Sequence, residues 1–109
     1  MSYKVLSIPP FDRQLKRLAK KYPSLKNEYA RLVDGLEDSP KKGTALGNNC
    51  YKIRMAVASK GKGKSGGARV ITCVKVTQSA VYLLSVYDKS DQDNISDGDL
   101  FALIKYVPL

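Results

Sequence analysis

The chain has 109 residues, 19 Lys and Arg against 10 Asp and Glu, a formal net charge of +9 and no histidine. This length holds one domain, 1–109, and 43% hydrophobic residues suffice for a core, which excludes a wholly disordered chain. Without histidine, His-based triads, HExxH metalloproteases and His-pair ribonucleases are excluded, so acid–base chemistry falls to Lys, Arg, Tyr, Asp or Glu.

Tyr3 to Ile8 is short and apolar enough for a strand, which Pro9-Pro10 ends while offering a good first position for a helix. Helix one is expected from about Pro10 to Tyr22. Phe11, Leu15, Leu18, Ala19 and Tyr22 recur at helical spacing, and Arg13, Lys16, Arg17, Lys20 and Lys21 cover the other side. The basic side offers Arg17, Lys20 and Lys21 as candidate RNA contacts. Pro23 interrupts, Ser24 can cap a second helix, and Leu25, Tyr29, Leu32, Val33 and Leu36 keep its register. Asp38-Ser39-Pro40 and Gly43 end that helix, and the stretch to Asn49 reads as loop.

From Cys50 the period changes to two. Tyr51, Ile53, Met55 and Val57 point one way, Lys52 and Arg54 the other. Ala68 to Thr77 and Ala80 to Asp88 are further strands, joined by a tight turn at Gln78-Ser79. Ser96 and Asp99 suggest a capping box before a short last helix through Leu100, Leu103, Ile104 and Val107, which Pro108 stops. The expected fold is α+β: an N-terminal helical hairpin packed on a small, mainly antiparallel sheet, with a short C-terminal helix.

No apolar run approaches the roughly 20 residues of a membrane span, and Met1 to Pro10 lacks the features of a secretion signal. A cytoplasmic protein with no membrane partner is expected. Cys50 and Cys73 form no CxxC and have no histidine beside them to complete a zinc set, so they read as buried, reduced thiols. Neither a metal nor a cofactor is expected.

The charge is uneven. Residues 1–75 carry 17 basic and 5 acidic side chains, a net of +12, whereas 76–109 carry 2 and 5, a net of −3. Such a surplus favours a polyanionic partner. The glycine-rich stretch 59–67 contains two phosphate-loop look-alikes: Ala58 to Ser65 matches AxxxxGKS, and Gly61, Gly63 and Gly66 spell GxGxxG. Both motifs need a following helix whose N-terminus holds the phosphates, and here ARVITCVKV reads as a strand. The better reading is a hairpin loop carrying Lys60, Lys62 and Lys64 on a flexible backbone, which gives affinity for a phosphate chain with little sequence readout. A merely solvated loop is the plainer alternative.

Lys52 and Arg54 emerge on one face of their strand, Arg69 follows the loop on the partner strand, and Lys89 ends the next. Four cations converging on one sheet face suit a phosphate. They could also simply solvate an exposed face.

These segments resemble the RelE/ParE superfamily of bacterial toxins from type II toxin–antitoxin systems, and within it the RelE and HigB-like branch of mRNA interferases. The resemblance runs through FDRQLKRLAKKYPSLKNE, YKIRMAVASKGKGKSGGARVI and VYLLSVYDKSDQDNIS, and KGKGKSGGARVI is its specific part. It implies a ribosome-dependent endoribonuclease that enters the decoding site and cuts mRNA without metal. The 2′-hydroxyl attacks the adjacent phosphate, leaving a cyclic phosphate and a free 5′-hydroxyl. By the same resemblance Lys52 is the candidate general base, Arg54 holds the phosphate, Arg69 stabilises transition-state charge, and Lys89 falls at a further basic position usually given as arginine.

One departure concerns a C-terminal tyrosine of the family's prototype, whose position here is Ile95. Tyr87 or Tyr106 are the available substitutes, and Asp88 is another candidate proton carrier. The resemblance also implies a cognate antitoxin protein, often with a helix-turn-helix DNA-binding domain, that blocks the basic face and brings the complex to operator DNA. Two other readings stand beside the nuclease: a ParE-like inhibitor of DNA gyrase, and a ribosome- or RNA-binding module without catalysis.

Overall fold

A computed structural model describes residues 2–61, 63 and 66–108. The elements in order are β1 (Lys4–Ser7), α1 (Pro9–Lys21), α2 (Leu25–Asp38), β2 (Thr44–Gly47), β3 (Cys50–Met55), β4 (Ala68–Lys75), β5 (Ala80–Asp88) and α3 (Asp97–Ile104). Two single 3-10 turns, Ala58–Lys60 and Val76–Gln78, lie in the connections. The strands form one mixed sheet in the order β1-β5-β4-β3-β2, with β1 parallel to β5 and the remaining pairs antiparallel. The α+β architecture expected from the sequence is the one observed.

Local chemistry accounts for the helix ends. Prolines open α1, where a missing N–H costs nothing. Pro23 follows Tyr22, whose backbone is already extended. Ser24 stands at the start of α2, but its hydroxyl does not cap the helix: it meets Glu28 Oε1 at 3.2 Å and Ser59 Oγ at 2.8 Å, tying the helix to the distant glycine loop. Ser96 does cap α3, accepting from the Asp99 N–H at 3.1 Å, a contact ordinarily worth about 1 kcal/mol.

The stretch before Asn49 is not all loop. Thr44–Gly47 pairs antiparallel with β3, as an edge strand whose turn uses left-handed Asn48 and Asn49. Its four residues, TALG, are too short and too exposed to show a period.

The hairpin α1–α2 covers the sheet face that carries Ile53 and Met55; Leu32 of α2 lines the same cleft as both. Phe11, Leu25 and Leu36 are fully sequestered in the core with Val70, Val74, Val81 and Val86. Burying one such side chain is worth about 1.5–3 kcal/mol. Where β1 has ended, Gln14 of α1 replaces it as a hydrogen-bond partner: its Oε1 accepts from the Val86 N–H and the Ser85 hydroxyl, each at 3.1 Å. A bulge between β4 and β5 shifts the register after Ile71, leaving Leu84 unopposed. On the other face, the segment after β5 returns across the sheet, burying Leu100 and Val107 and reaching Gln78 through the Pro108 carbonyl. No helix among the described residues is long and apolar enough to cross a membrane.

Candidate functional site

The β3–β4 ladder runs without a register break from Cys50↔Cys73 through Lys52↔Ile71 and Arg54↔Arg69 to Met55↔Ala68. The Val74 N–H donates to the Asn49 carbonyl at 2.8 Å, which makes Cys50↔Cys73 a non-hydrogen-bonded pair. By alternation Lys52↔Ile71 and Arg54↔Arg69 are such pairs too. In that geometry facing Cα atoms stand about 4.5 Å apart and the side chains are close. Arg54 and Arg69 therefore rise together from one sheet face, opposite the helical hairpin, with Lys52 two residues along.

Two like charges directly opposed are destabilising, and the chain offsets this from the segment after β5. Arg69 is buried, and its Nη2 pairs with Asp93 Oδ1 at 3.1 Å. Lys52 Nζ donates to Asn94 Oδ1 at 2.6 Å. Consecutive residues of one strap thus hold two of the expected site cations, while Arg54 stays exposed. The sequence reading missed Asp93 and Asn94. The available signal was the acidic balance of the last third of the chain, facing a basic remainder.

Tyr87 of β5 directly faces Arg69 of β4, and its hydroxyl donates to the Asp93 carbonyl at 3.3 Å. Burial raises its pKa above the ordinary phenol value; nearby Arg69 opposes the shift and Asp93 adds to it. Of the two tyrosines available to stand in for the residue missing at Ile95, Tyr87 is beside the cations. Tyr106 is exposed past the end of α3. Lys89 is exposed one step beyond β5, its backbone N–H donating to the Gly67 carbonyl at 3.1 Å.

Lys60 departs from expectation. Its ammonium is turned inward, ion-paired with Asp88 Oδ1 and donating to Ser90 Oγ at 2.9 Å and to the Gly66 carbonyl at 2.8 Å. In the fold it anchors the loop to the end of β5 rather than standing free on it. Lys62 and Lys64 lie outside the described residues. Asp88, buried, also accepts from the Tyr22 hydroxyl at 2.6 Å and the Ser90 N–H at 2.8 Å. Burial alone would raise its pKa, but these donors outweigh it and hold the carboxyl well below the usual carboxylate range. A carboxylate so fixed in its ionised form is unsuited to carrying a proton at neutral pH.

Arg17, Lys20 and Lys21 are exposed on α1. Lys21 Nζ lies 5.3 Å from the centroid of the Tyr22 ring. Because α1 packs on the face bearing Ile53 and Met55, these cations form a basic surface separate from Lys52, Arg54 and Arg69.

The fold has counterparts of known structure. An arginine double mutant of the E. coli toxin RelE in the free state superposes with a TM-score of 0.67 at 16% identity, covering 99% of this chain and 100% of the other. The isolated E. coli RelE toxin gives 0.61 at 18% identity, over 95% and 98%. At such identities the likeness carries the fold. The sequence carries the family: residues 10–107, from the start of α1 past the end of α3, match the model for the RelE toxin of the RelE/RelB toxin–antitoxin system. With the match extending through both helices of the hairpin and every strand but the first, the chain belongs to the RelE toxin family.

Proposed function

We propose that the chain is a ribosome-dependent mRNA endoribonuclease whose site is the β3–β4 face bearing Lys52, Arg54 and Arg69, with Lys89 at its rim. The observation that carries this reading is the direct opposition of Arg54 and Arg69 across β3 and β4, with Lys52 on the same face. Such a grouping suits an anion of two charges or more. Ribosome dependence rests on the resemblance of YKIRMAVASKGKGKSGGARVI, and of KGKGKSGGARVI above all, to the mRNA-interferase branch.

In this mechanism Arg54 grips the scissile phosphate and turns the backbone so that the 2′-oxygen lies in line with the departing 5′-oxygen. Lys52, in its neutral amine form, takes the 2′-hydroxyl proton. A bond forms from the 2′-oxygen to phosphorus, the bond to the 5′-oxygen breaks, and the products are a 2′,3′-cyclic phosphate and a 5′-hydroxyl. Arg69 stabilises the charge that builds on the non-bridging oxygens, after exchanging the Asp93 carboxylate for the phosphate. Tyr87, with its neutral phenol beside Arg69, gives its proton to the departing 5′-oxygen, which leaves as the hydroxyl. A lysine is mostly protonated at neutral pH and is a slow base, in keeping with an enzyme that depends on the ribosome to set its substrate's geometry. A cognate antitoxin, with a helix-turn-helix domain that reads operator DNA, would cover this face.

The test is a reconstituted translation reaction in which message ends are mapped by primer extension for wild type, Arg69→Ala and Arg54→Gln. Cuts in the ribosomal decoding site that fade in both variants are the expected result. Intact message with translation halted would select the non-catalytic ribosome-binding alternative. Normal translation with inhibited gyrase supercoiling would select the ParE-like one.

A further inference from the structure

Cys50 and Cys73 take no part in the chemistry above, yet they face each other directly on β3 and β4. Both are buried, at 1% and 2% exposure, and neither is in a disulfide. Their place in the ladder is the informative point. The bond from the Val74 N–H to the Asn49 carbonyl makes theirs a non-hydrogen-bonded pair, the kind that brings side chains closest. Its Cα spacing of about 4.5 Å lies within the range that a disulfide spans without backbone movement. Cys50 also sits at the turn end of the β2–β3 hairpin, one residue from left-handed Asn49.

We propose that Cys50 and Cys73 are a modification site: a cross-strand dithiol that a small peroxide oxidises to an intramolecular disulfide. Cys50 Sγ donates to the Asn48 carbonyl at 3.5 Å, and the two thiols act on each other's ionisation. The neighbouring Cys50 favours ionisation of Cys73 against the opposing effect of burial, with Lys75 adding to the shift, while Cys73 and burial disfavour ionisation of Cys50. Cys73 is accordingly the attacking sulfur. Its thiolate attacks one peroxide oxygen, the O–O bond breaks, and hydroxide leaves with a sulfenic acid on Cys73. The Cys50 thiol then gives up its proton and attacks that sulfur; the S–S bond forms and the sulfenic oxygen leaves as water. The two sulfurs together lose two electrons and hydrogen peroxide is reduced to water, with no other reactant needed.

The bond would tie β3, carrying Lys52 and Arg54, to β4, carrying Arg69, and would fix their register. It closes a loop that includes the whole glycine-rich segment, so the oxidised chain should melt higher by roughly 10 °C.

The experiment treats the purified, folded protein with hydrogen peroxide, quenches with an alkylating agent, and maps peptides without reduction. The expected result is one crosslinked peptide pair joining Cys50 to Cys73 in monomeric protein, with both thiols lost together and recovered by dithiothreitol. In Cys50→Ser and in Cys73→Ser the crosslink is absent, and in Cys50→Ser a sulfenic acid is trapped by dimedone on Cys73. Circular dichroism of each variant verifies that it is folded. Both thiols remaining free in the native protein while being oxidised in urea would overturn the proposal, as would disulfide-linked dimers or stable single-cysteine adducts in the wild type.

Discussion

Arg69 and Asp93 are joined at 3.1 Å as unequal partners: the arginine side chain is 3% exposed and the aspartate side chain 55%. A buried guanidinium needs an anion, and the chain supplies one from a solvent-facing strap that water and competing anions can reach. A phosphate bound by Arg69 would have to take the carboxylate's place.

Asp93→Asn should therefore strengthen RNA binding. With the carboxylate end open to water, displacing it should cost a ligand on the order of 1 kcal/mol, so removing the competitor should tighten a short RNA by about fivefold. Fluorescence anisotropy at fixed ionic strength measures this. Weaker binding by the folded variant would mean that Asp93 orients Arg69 for its ligand rather than competing with it.

Arg54→Gln separates affinity from stability. Arg54 is exposed and faces another arginine, so its loss should leave the melting temperature unchanged or raised. If Arg54 contacts a phosphate, the variant should bind RNA more weakly, and its slope of log affinity against log salt should be shallower by about 1. An unchanged slope would remove Arg54 from the interface.

Asp88 sets the response to acid. Its folded-state pKa is depressed, so its contribution to stability is fully present above the ordinary carboxylate range and is lost as pH falls through that range toward the folded value. Urea unfolding should show stability dropping below about pH 5. Asp88→Asn leaves the largely buried Lys60 ammonium unpaired and should cost about 3 kcal/mol at pH 7, with a flatter acid limb. A parallel acid profile in wild type and variant would assign the acid loss to other carboxylates.

The sequence disclosed the elements whose burial is periodic. Helix α1 shows a 3.6-residue stripe and β3 a two-residue alternation, and each was read to within a residue or two of its observed bounds. Strand β2 was illegible because an exposed four-residue edge strand obtains its ladder from its neighbour, not from its own composition. The facing of Lys52, Arg54 and Arg69 followed from hairpin logic. The partners that hold them did not, because Asp93 and Asn94 reach the site from a segment without regular structure. The anchoring of Lys60 is illegible for a similar reason. Its counter-ion lies 28 residues away, and a lysine between a serine and a glycine carries no local sign of that pairing.

Gly67 is the point where these elements converge. It lies between the loop and β4, and its carbonyl accepts from the Lys89 N–H at 3.1 Å and from Lys60 Nζ at 3.3 Å. A Cβ added there would fall on the Met55 carbonyl oxygen and press on the Val57 nitrogen and the Ala56 Cα, all backbone atoms that cannot swing aside. Gly67→Ala should accordingly force β3 and β4 apart near Arg54 and Arg69 and cost about 3 kcal/mol, with RNA affinity falling alongside. Gly63, whose added Cβ would meet nothing within 4 Å among the described residues, provides the control: Gly63→Ala should stay within about 0.5 kcal/mol of wild type. Paired thermal melts of the two variants decide the matter. Equal stability would show that the tight approach of Gly67 to the end of β3 does not hold the site together.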